Sequence, residues 1–183
     1  VHGNPSGIDN TLALYGGVIL YQKGSMKRLL PRERIPLVIG DTGIQRSTGK
    51  MVERVRRLRE KHPDLIDSII KAIGRVSLSA IDPLVNGDLQ TLGELMNVNQ
   101  GLLESLGVSS QELSILVYEA RKAGAYGSKL TGAGGGGCMI AISPIEKVER
   151  VIEALTRVGG RAFSAEIDLE GVRLEGDRVA AWE

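Results

Sequence analysis

The stretch KLTGAGGGGCMIAI, residues 129–142, is a run of glycines that passes directly into an apolar segment. Five of the six residues from Gly132 to Gly137 are glycine. Because glycine lacks a Cβ atom, such a segment can adopt positive φ values and lets another group come close to its backbone. Two interpretations are open: a loop whose N–H groups face a phosphate or small substrate, or a tight turn before a buried strand. The residues that follow predict a strand, whereas Walker and dinucleotide-binding loops lead into a helix.

The composition restricts what this loop can serve. The 183 residues carry 23 Lys and Arg against 22 Asp and Glu, so the formal net charge of +1 gives no reason to expect nucleic acid or an anionic membrane as a partner. The single cysteine, Cys138, excludes an internal disulfide, and with two histidines the chain does not favour a zinc site. No apolar run approaches the roughly 18 residues of a membrane span. We therefore expect a cytoplasmic protein.

A second motif, VHGNPSGIDN, occupies residues 1–10. Pro5 restricts φ, and glycines lie on both sides of it, so a shaped loop is expected. Asp9 falls near the start of an apolar segment, where an aspartate is either a helix N-cap or a functional carboxylate. Because the chain starts at Val1 and the motif begins at once, we expect the sequence to be part of a longer protein.

A third polar segment follows the predicted strand at residues 35–39. Its Gly43 and Gly49-Lys50 imitate a Walker loop, but five residues intervene where four are required, and Met51 replaces Ser or Thr. Arg46, Ser47 and Thr48 lie at a predicted helix start, where free N–H groups favour an anion, although either hydroxyl could be an ordinary N-cap. The arginines further along this helix are interpreted as a solvated face rather than an anion site.

The remaining pattern is helical from residue 63 to residue 124, with Asp88 as one N-cap and a capping box at Ser109 and Glu112. Residues 76–85 are expected to continue the first of these helices. Another helix begins after Pro144, alternation predicts a strand over 163–169, and residues 172–182 suggest a terminal hairpin. This order predicts an α+β architecture, with helices packed on one face of a mainly antiparallel sheet.

The two glycine-containing motifs, residues 2–10 and 129–138, together resemble the mevalonate kinases of the GHMP kinase superfamily. The loop at residues 42–48 and the region 97–107 are similar too, so the resemblance covers nearly the whole chain. It implies a ferredoxin-like α/β sandwich with extra helices, the GHMP kinase C-terminal domain, at residues 36–183. Residues 1–35 would be the last elements of the N-terminal domain and carry the catalytic aspartate segment.

The resemblance also implies roles for individual residues. Asp9 matches the catalytic aspartate, which accepts the proton of the C5 hydroxyl of mevalonate or orients that hydroxyl toward the γ-phosphate of ATP. His2, Arg46, Thr48 and Ala133 match substrate-binding positions, with the fork of Arg46 suited to the mevalonate carboxylate. The positions near phosphate or nucleotide are Ser128, Gly132, Gly134, Gly135 and Gly136.

The sequence also departs from the family pattern. It has no counterpart of the Pro-x-x-x-Gly-Leu-Gly-Ser-Ser loop that wraps the ATP phosphates, and it has none of the upstream residues that hold Mg²⁺, so no metal ligand is expected in this chain. Phosphoryl transfer depends on such groups, and we expect the chain to be inactive without the missing N-terminal part. Another small-molecule kinase of the superfamily and a non-catalytic binding domain of the same fold remain alternatives. A homodimer of the complete enzyme also remains open.

Overall fold

The chain divides into two compact units, Val1–Leu30 with Ile167–Glu183, and Pro31–Glu166. The structure is a computed structural model that describes residues 7–23, 25–45 and 47–172. Within those ranges no helix is long and apolar enough to cross a bilayer.

The first unit contains a short helix and a hairpin. Helix α1 (Ile8–Tyr15) follows Gly7, whose φ of 81° starts the helix from a left-handed residue. Strands β1 (Val18–Gln22) and β2 (Ser25–Leu29) pair antiparallel. The returning chain joins this unit through backbone bonds: the Gly17 N–H donates to the Asp168 carbonyl at 2.7 Å, and the Val172 N–H donates to the Ala13 carbonyl at 3.0 Å.

The second unit contains the other helices and strands. In chain order they are β3 (Leu37–Asp41), α2 (Thr48–Lys61), α3 (Pro63–Ser79), α4 (Ile81–Asn86), α5 (Leu89–Ser105), α6 (Gln111–Lys122), β4 (Gly127–Leu130), β5 (Cys138–Ile142), α7 (Val148–Arg157) and β6 (Arg161–Ala165). A 3₁₀ turn, Ile145–Lys147, leads into α7. The predicted N-cap at Asp88 is confirmed, since its carboxylate accepts from the Thr91 N–H at 3.0 Å.

The four strands of this unit form one antiparallel sheet in the order β4-β5-β3-β6. Five helices connect β3 to β4, and α7 connects β5 to β6. This is the βαββαβ connectivity of a ferredoxin-like fold with extra helices in the first connection. The predicted α+β class and antiparallel sheet are therefore confirmed.

The core lies on one face of this sheet. Val38 of β3 and Met139 and Ala141 of β5 are fully buried and share a cluster with the apolar stripes of α6 and α7. The alternate positions belong to the opposite face, where Phe163 of β6 pairs with Ile39 and is 53% exposed. The alternate strand residues on the buried face therefore pack against the apolar faces of the helices in a single layer.

Three sequence-based boundaries were wrong, each for a local reason. The helix expected through residues 76–85 breaks at Ala80, because Pro83 has no N–H to donate to the carbonyl four residues earlier. Ser110, not Ser109, accepts from the Leu113 N–H, at 3.3 Å, and caps α6. Strand β6 ends at Ala165, which is opposite Leu37, the first residue of β3. The predicted terminal hairpin lies almost wholly outside the described residues.

Candidate active site

The glycine-rich segment is the hairpin connection between β4 and β5. At its base, the N–H and the hydroxyl of Thr131 both donate to the Cys138 carbonyl at 3.0 Å. Left-handed backbone conformations occur at Gly132, Gly134, Gly135, Gly136 and Gly137, with φ values from 67° to 135°. Residues with a Cβ atom rarely adopt that region, so the composition of the loop follows from its backbone path.

Protein backbone comes close to this loop at two positions. A Cβ atom on Gly134 would lie 2.0 Å from the Val108 carbonyl oxygen, and one on Gly136 would lie 2.8 Å from the Ile44 carbonyl oxygen. The same two carbonyls accept hydrogen bonds from the loop, Val108 from the Gly135 N–H at 2.8 Å and Ile44 from the Gly137 N–H at 3.0 Å. The fold itself therefore requires Gly134 and Gly136.

The loop that follows β3 lies against the glycine loop. Both the N–H and the hydroxyl of Thr42 donate to the Gly137 carbonyl, at 3.0 and 2.9 Å. The Thr42 hydroxyl in turn accepts from the Ile44 N–H at 3.2 Å. This one side chain therefore fixes both loops at their point of contact.

The first turn of α2 also borders the glycine loop. A Cβ atom on Gly135 would lie 2.9 Å from the sulfur of Met51. Thr48 is the first residue of α2 and is half-buried, whereas Arg46 lies outside the described residues. Ser47 occupies the N-cap position, as one of the two interpretations expected, but its side chain makes no capping hydrogen bond. A helix start without a side-chain cap leaves backbone N–H groups for another acceptor.

The arginines further along α2 behave as the sequence predicted. Arg56 and Arg57 both donate to the Glu53 carboxylate, and Arg59 donates to the Asp67 carboxylate. Hydrogen bonds first from Arg56 and then from Arg57 lower the pKa of Glu53 to about 2. These guanidinium groups are exposed and already paired, which is typical of a solvated helix face.

Asp9 belongs to the first unit, where it is exposed in the first turn of α1. The N-cap position is Gly7, so the alternative that Asp9 is the N-cap was wrong. A carboxylate in the first turn still interacts favourably with the helix dipole. Asp9 lines an open groove of about 690 Å³ together with Gly17, Asp168 and Glu170 of the same unit.

Ser128 and Lys129 precede the glycine loop on β4. Ser128 is fully buried, and its hydroxyl donates to the Val117 carbonyl at 2.7 Å and accepts from Arg121 Nε at 3.1 Å. The Lys129 ammonium donates to the Leu130 carbonyl at 2.7 Å, and burial lowers its pKa. Both side chains are thus held by interactions within the second unit.

The structure accordingly brings some of the predicted site residues together within one unit. Glycines 132 and 134–136, Ala133 and the start of α2 with Thr48 lie in neighbouring segments, and Ser128 is buried on the strand that leads into the loop. Asp9 lies in the other unit, and His2 and Arg46 fall outside the described residues. Among the described residues, no three His, Cys, Asp or Glu side chains are grouped as a metal site would need.

Sequence reasoning missed Val108, and it gave no individual role to Thr42 or Gln100, although both lie in segments that resemble the family. Val108 contributes only its carbonyl, which no side-chain pattern could reveal. Gln100 does leave a signal, because it continues the helical spacing of the buried residues Leu92 and Met96. A polar residue in such a stripe indicates a buried hydrogen-bonding role.

Comparisons with known proteins place this geometry in a family context. The family model described as "GHMP kinases C terminal" matches residues 80–161. The mevalonate kinase of Thermococcus gammatolerans is 48% identical over 181 residues, covering 96% of this chain and 53% of the relative. The mevalonate kinase of Pyrococcus furiosus is 44% identical over 180 residues, with 96% and 53% covered.

A solved structure gives the same result for the fold. The crystal structure of L. major mevalonate kinase in complex with R-mevalonate matches with a TM-score of 0.86 and 32% identity, covering 93% of this chain and 55% of that one. The Methanococcus jannaschii mevalonate kinase matches with a TM-score of 0.69 and 25% identity, covering 83% and 47%. The chain thus spans about half the length of the relatives that it matches.

Proposed function

We propose that this chain is the C-terminal part of a mevalonate kinase, because residues 80–161 match the model described as "GHMP kinases C terminal" and the fold matches that of a mevalonate kinase. The complete enzyme would transfer the γ-phosphate of ATP to the C5 hydroxyl of mevalonate, in the cytoplasm and as a step of isoprenoid biosynthesis. One observation carries the proposal: relatives named mevalonate kinase are 44–48% identical to this chain over 96% of its length. We further propose that residues 1–35 complete the N-terminal domain and residues 36–183 form the C-terminal domain.

Asp9 is the proposed catalytic residue. Its carboxylate would accept the proton of the C5 hydroxyl, or orient that hydroxyl, as phosphoryl transfer proceeds. The exposure of Asp9 and its position in the first turn of α1 support this role, since packing does not occupy its carboxylate.

The second unit supplies the proposed substrate-binding residues and one wall of the site. Arg46 would pair with the mevalonate carboxylate, and Thr48 would donate to substrate or phosphate oxygens from the start of α2. His2 and Ala133 are proposed as further substrate contacts. Gly132, Gly134, Gly135 and Gly136 would lie near the phosphates, with Ser128 acting through the strand that leads into the loop. The backbone bonds that fix this loop support a wall that is formed before substrate binds.

ATP and Mg²⁺ would need groups beyond those described here. The start of α2 offers N–H groups that suit an anion, but the described residues hold no carboxylate cluster suited to Mg²⁺. We propose that the remainder of the complete enzyme supplies the magnesium ligands and the main ATP loop, since this chain spans about half the length of the relatives that it matches. When bound, the metal would neutralise charge on the transferring phosphate.

The test is ATP-dependent phosphorylation of mevalonate, measured for the 183-residue chain alone and for the complete kinase that contains it. We expect turnover by the complete kinase and none by the chain alone. Phosphomevalonate and galactose serve as competing substrates. Normal turnover by the isolated chain, or a higher kcat/KM with either competing substrate, would contradict the proposal.

A further inference from the structure

The buried amide of Gln100 contacts both segments that hold the glycine loop. The Gln100 side chain lies on α5 and is fully buried. Its Oε1 accepts from the Leu130 N–H at 2.9 Å, at the last residue of β4 before the loop. Its Nε2 donates to the Ser109 hydroxyl at 3.2 Å and to Glu104 Oε1 at 3.1 Å. The acceptor of this amide thus bonds to β4, and its donors bond to Glu104 on the same helix and to Ser109 in the segment that follows that helix.

Ser109, which accepts a hydrogen bond from the Gln100 amide, is next in sequence to the residue that contacts the middle of the glycine loop. Ser109 follows Val108, whose carbonyl accepts from the Gly135 N–H at 2.8 Å and closely faces Gly134. The Ser109 hydroxyl lies 2.9 Å from the Ser114 hydroxyl, which donates to Glu104 Oε1 at 3.2 Å. The backbone at residues 108–109 is therefore fixed from α5 and α6 through a closed set of hydrogen bonds.

We propose that Gln100 is a positioning residue, which sets the glycine loop by fixing Leu130 at its start and Val108 against its centre. Neither of these contacts involves a side chain of the loop itself. The position of the loop is therefore determined by α5, which carries Gln100. The functional part of this inference rests on the proposed role of the loop as a wall of the kinase site. A buried amide with every group bonded tolerates little displacement, because an unpaired polar group in the core is costly.

The decisive variants exchange the polarity of the Gln100–Glu104 contact. Gln100→Glu keeps an acceptor for the Leu130 N–H but places a second carboxylate against Glu104. The double variant Gln100→Glu/Glu104→Gln restores a donor between the two side chains, now supplied from position 104. Val151→Ala is the control for lost stability, because Val151 is fully buried on α7 in the same apolar cluster as Val108 and Leu130, yet none of the hydrogen bonds above involves it.

Hydrogen exchange of the peptide over residues 130–138 in the complete kinase is the first readout. We expect exchange to become about tenfold faster in Gln100→Glu, since each lost buried hydrogen bond favours local opening. The double variant should return most of that protection, and Val151→Ala should leave local exchange of this peptide unchanged. Unchanged exchange in Gln100→Glu would overturn the inference. If that variant does not fold, Ser109→Ala removes the two bonds that the Ser109 hydroxyl makes, to Gln100 and to Ser114. Its failure to accelerate exchange would equally overturn the inference.

Steady-state kinetics of the same proteins separate this inference from the proposed function. We expect kcat to fall about tenfold to a hundredfold in Gln100→Glu and to recover in the double variant, since a displaced wall weakens contacts to the transition state. Faster exchange with an unchanged kcat would leave Gln100 as the residue that positions the loop. The same result would show that the loop is no part of the active site.

Discussion

The glycine loop at residues 131–137 and the helix that carries Asp9 both lie in motifs that resemble those of one kinase family, yet they are held differently. Carbonyls of Val108 and Ile44 accept from loop N–H groups at 2.8 and 3.0 Å, and Gly134 and Gly136 are buried. Helix α1 has no buried residue, and its Leu14 and Tyr15 are 54% and 47% exposed. The centre of the loop is thus buried and bonded within its unit, whereas the Asp9 side chain is exposed.

This difference separates two ways in which a motif residue can matter. A substitution at a packed glycine of the loop displaces the neighbouring backbone. We therefore expect it to change activity indirectly, by lowering the stability of the protein and by moving the loop. A substitution at Asp9 removes the charge of an exposed side chain. We therefore expect it to change turnover but not the free energy of unfolding. Each half of this contrast can be tested by a matched pair of variants.

The largest expected effect is on turnover, from Asp9→Asn in the complete kinase. If the carboxylate serves as base or orienting group, kcat should fall by about 10² to 10⁴-fold, the usual range for such a group. The free energy of unfolding should change by less than about 0.5 kcal/mol, because Asp9 is exposed. Both quantities are measured on the same preparation, by turnover and by urea unfolding.

The matched control is Asp64→Asn, which removes an exposed aspartate from the first turn of α3 and alters the same kind of dipole interaction. It should leave kcat unchanged. A kcat that falls no further in Asp9→Asn than in Asp64→Asn would exclude both catalytic roles for Asp9.

The next effect is on stability, from Gly134→Ala. The new Cβ atom would lie 2.0 Å from the Val108 carbonyl oxygen, on a residue with φ of 80°. The left-handed conformation and the overpacking together should lower the free energy of unfolding by about 2–5 kcal/mol. Gly43→Ala provides the comparison, because Gly43 has a φ of 69° but no atom within 4 Å of the place that a Cβ would take.

Urea unfolding of the two alanine variants therefore separates strain from collision. Gly43→Ala should cost about 1–2 kcal/mol, the penalty of the left-handed conformation alone. An equal decrease in the free energy of unfolding in the two variants would mean that Val108 moves aside at little cost. The glycine loop would then not be tightly held by its neighbours.

Local sequence patterns predicted the parts of this region that depend on neighbouring residues. The glycine run, the strand after it and the cap at Asp88 each follow from residue type and short spacing, and each is present. The Ser109 cap failed because the Ser109 hydroxyl instead accepts from Gln100, a residue on another helix. A capping pattern cannot reveal that a hydroxyl is already used by a tertiary contact.

The close neighbours of the glycine loop could not be predicted, for the same reason. The sequence indicates that some group approaches Gly134, but the group is the Val108 carbonyl, which every residue type possesses. Strand β4 was missed because it is four residues long, and Ser128 at its buried face looks polar in the sequence. Its burial depends on bonds to Val117 and Arg121, which only the packed α6 supplies.

The smallest expected effect is on the free energy of unfolding, from a substitution of Asp41 at the end of β3, next to the turn that contacts the glycine loop. Its carboxylate accepts from the Gly43 N–H at 2.9 Å and from Arg161 at 2.5 Å, which holds the turn that carries Thr42. The hydrogen bond from Gly43, followed by those effects of Arg161 that favour the anion, lowers the pKa of Asp41 below its usual value. Because the folded-state pKa is the lower one, this stabilisation is present above the unfolded value of about 3.9 and is lost as the pH falls through the folded value.

Asp41→Asn should therefore reduce the free energy of unfolding at neutral pH by less than about 1 kcal/mol, since Arg161 is largely exposed and solvent screens the pair. The difference between the two proteins should shrink as the pH is lowered below about 4, where the wild-type carboxylate also becomes neutral. Urea unfolding at a series of pH values measures that difference directly. A difference that stays constant down to about pH 2 would show that the charge of Asp41 contributes nothing. In that case Thr42, and not Asp41, would hold the glycine loop, through hydrogen bonds to Gly137 that do not titrate.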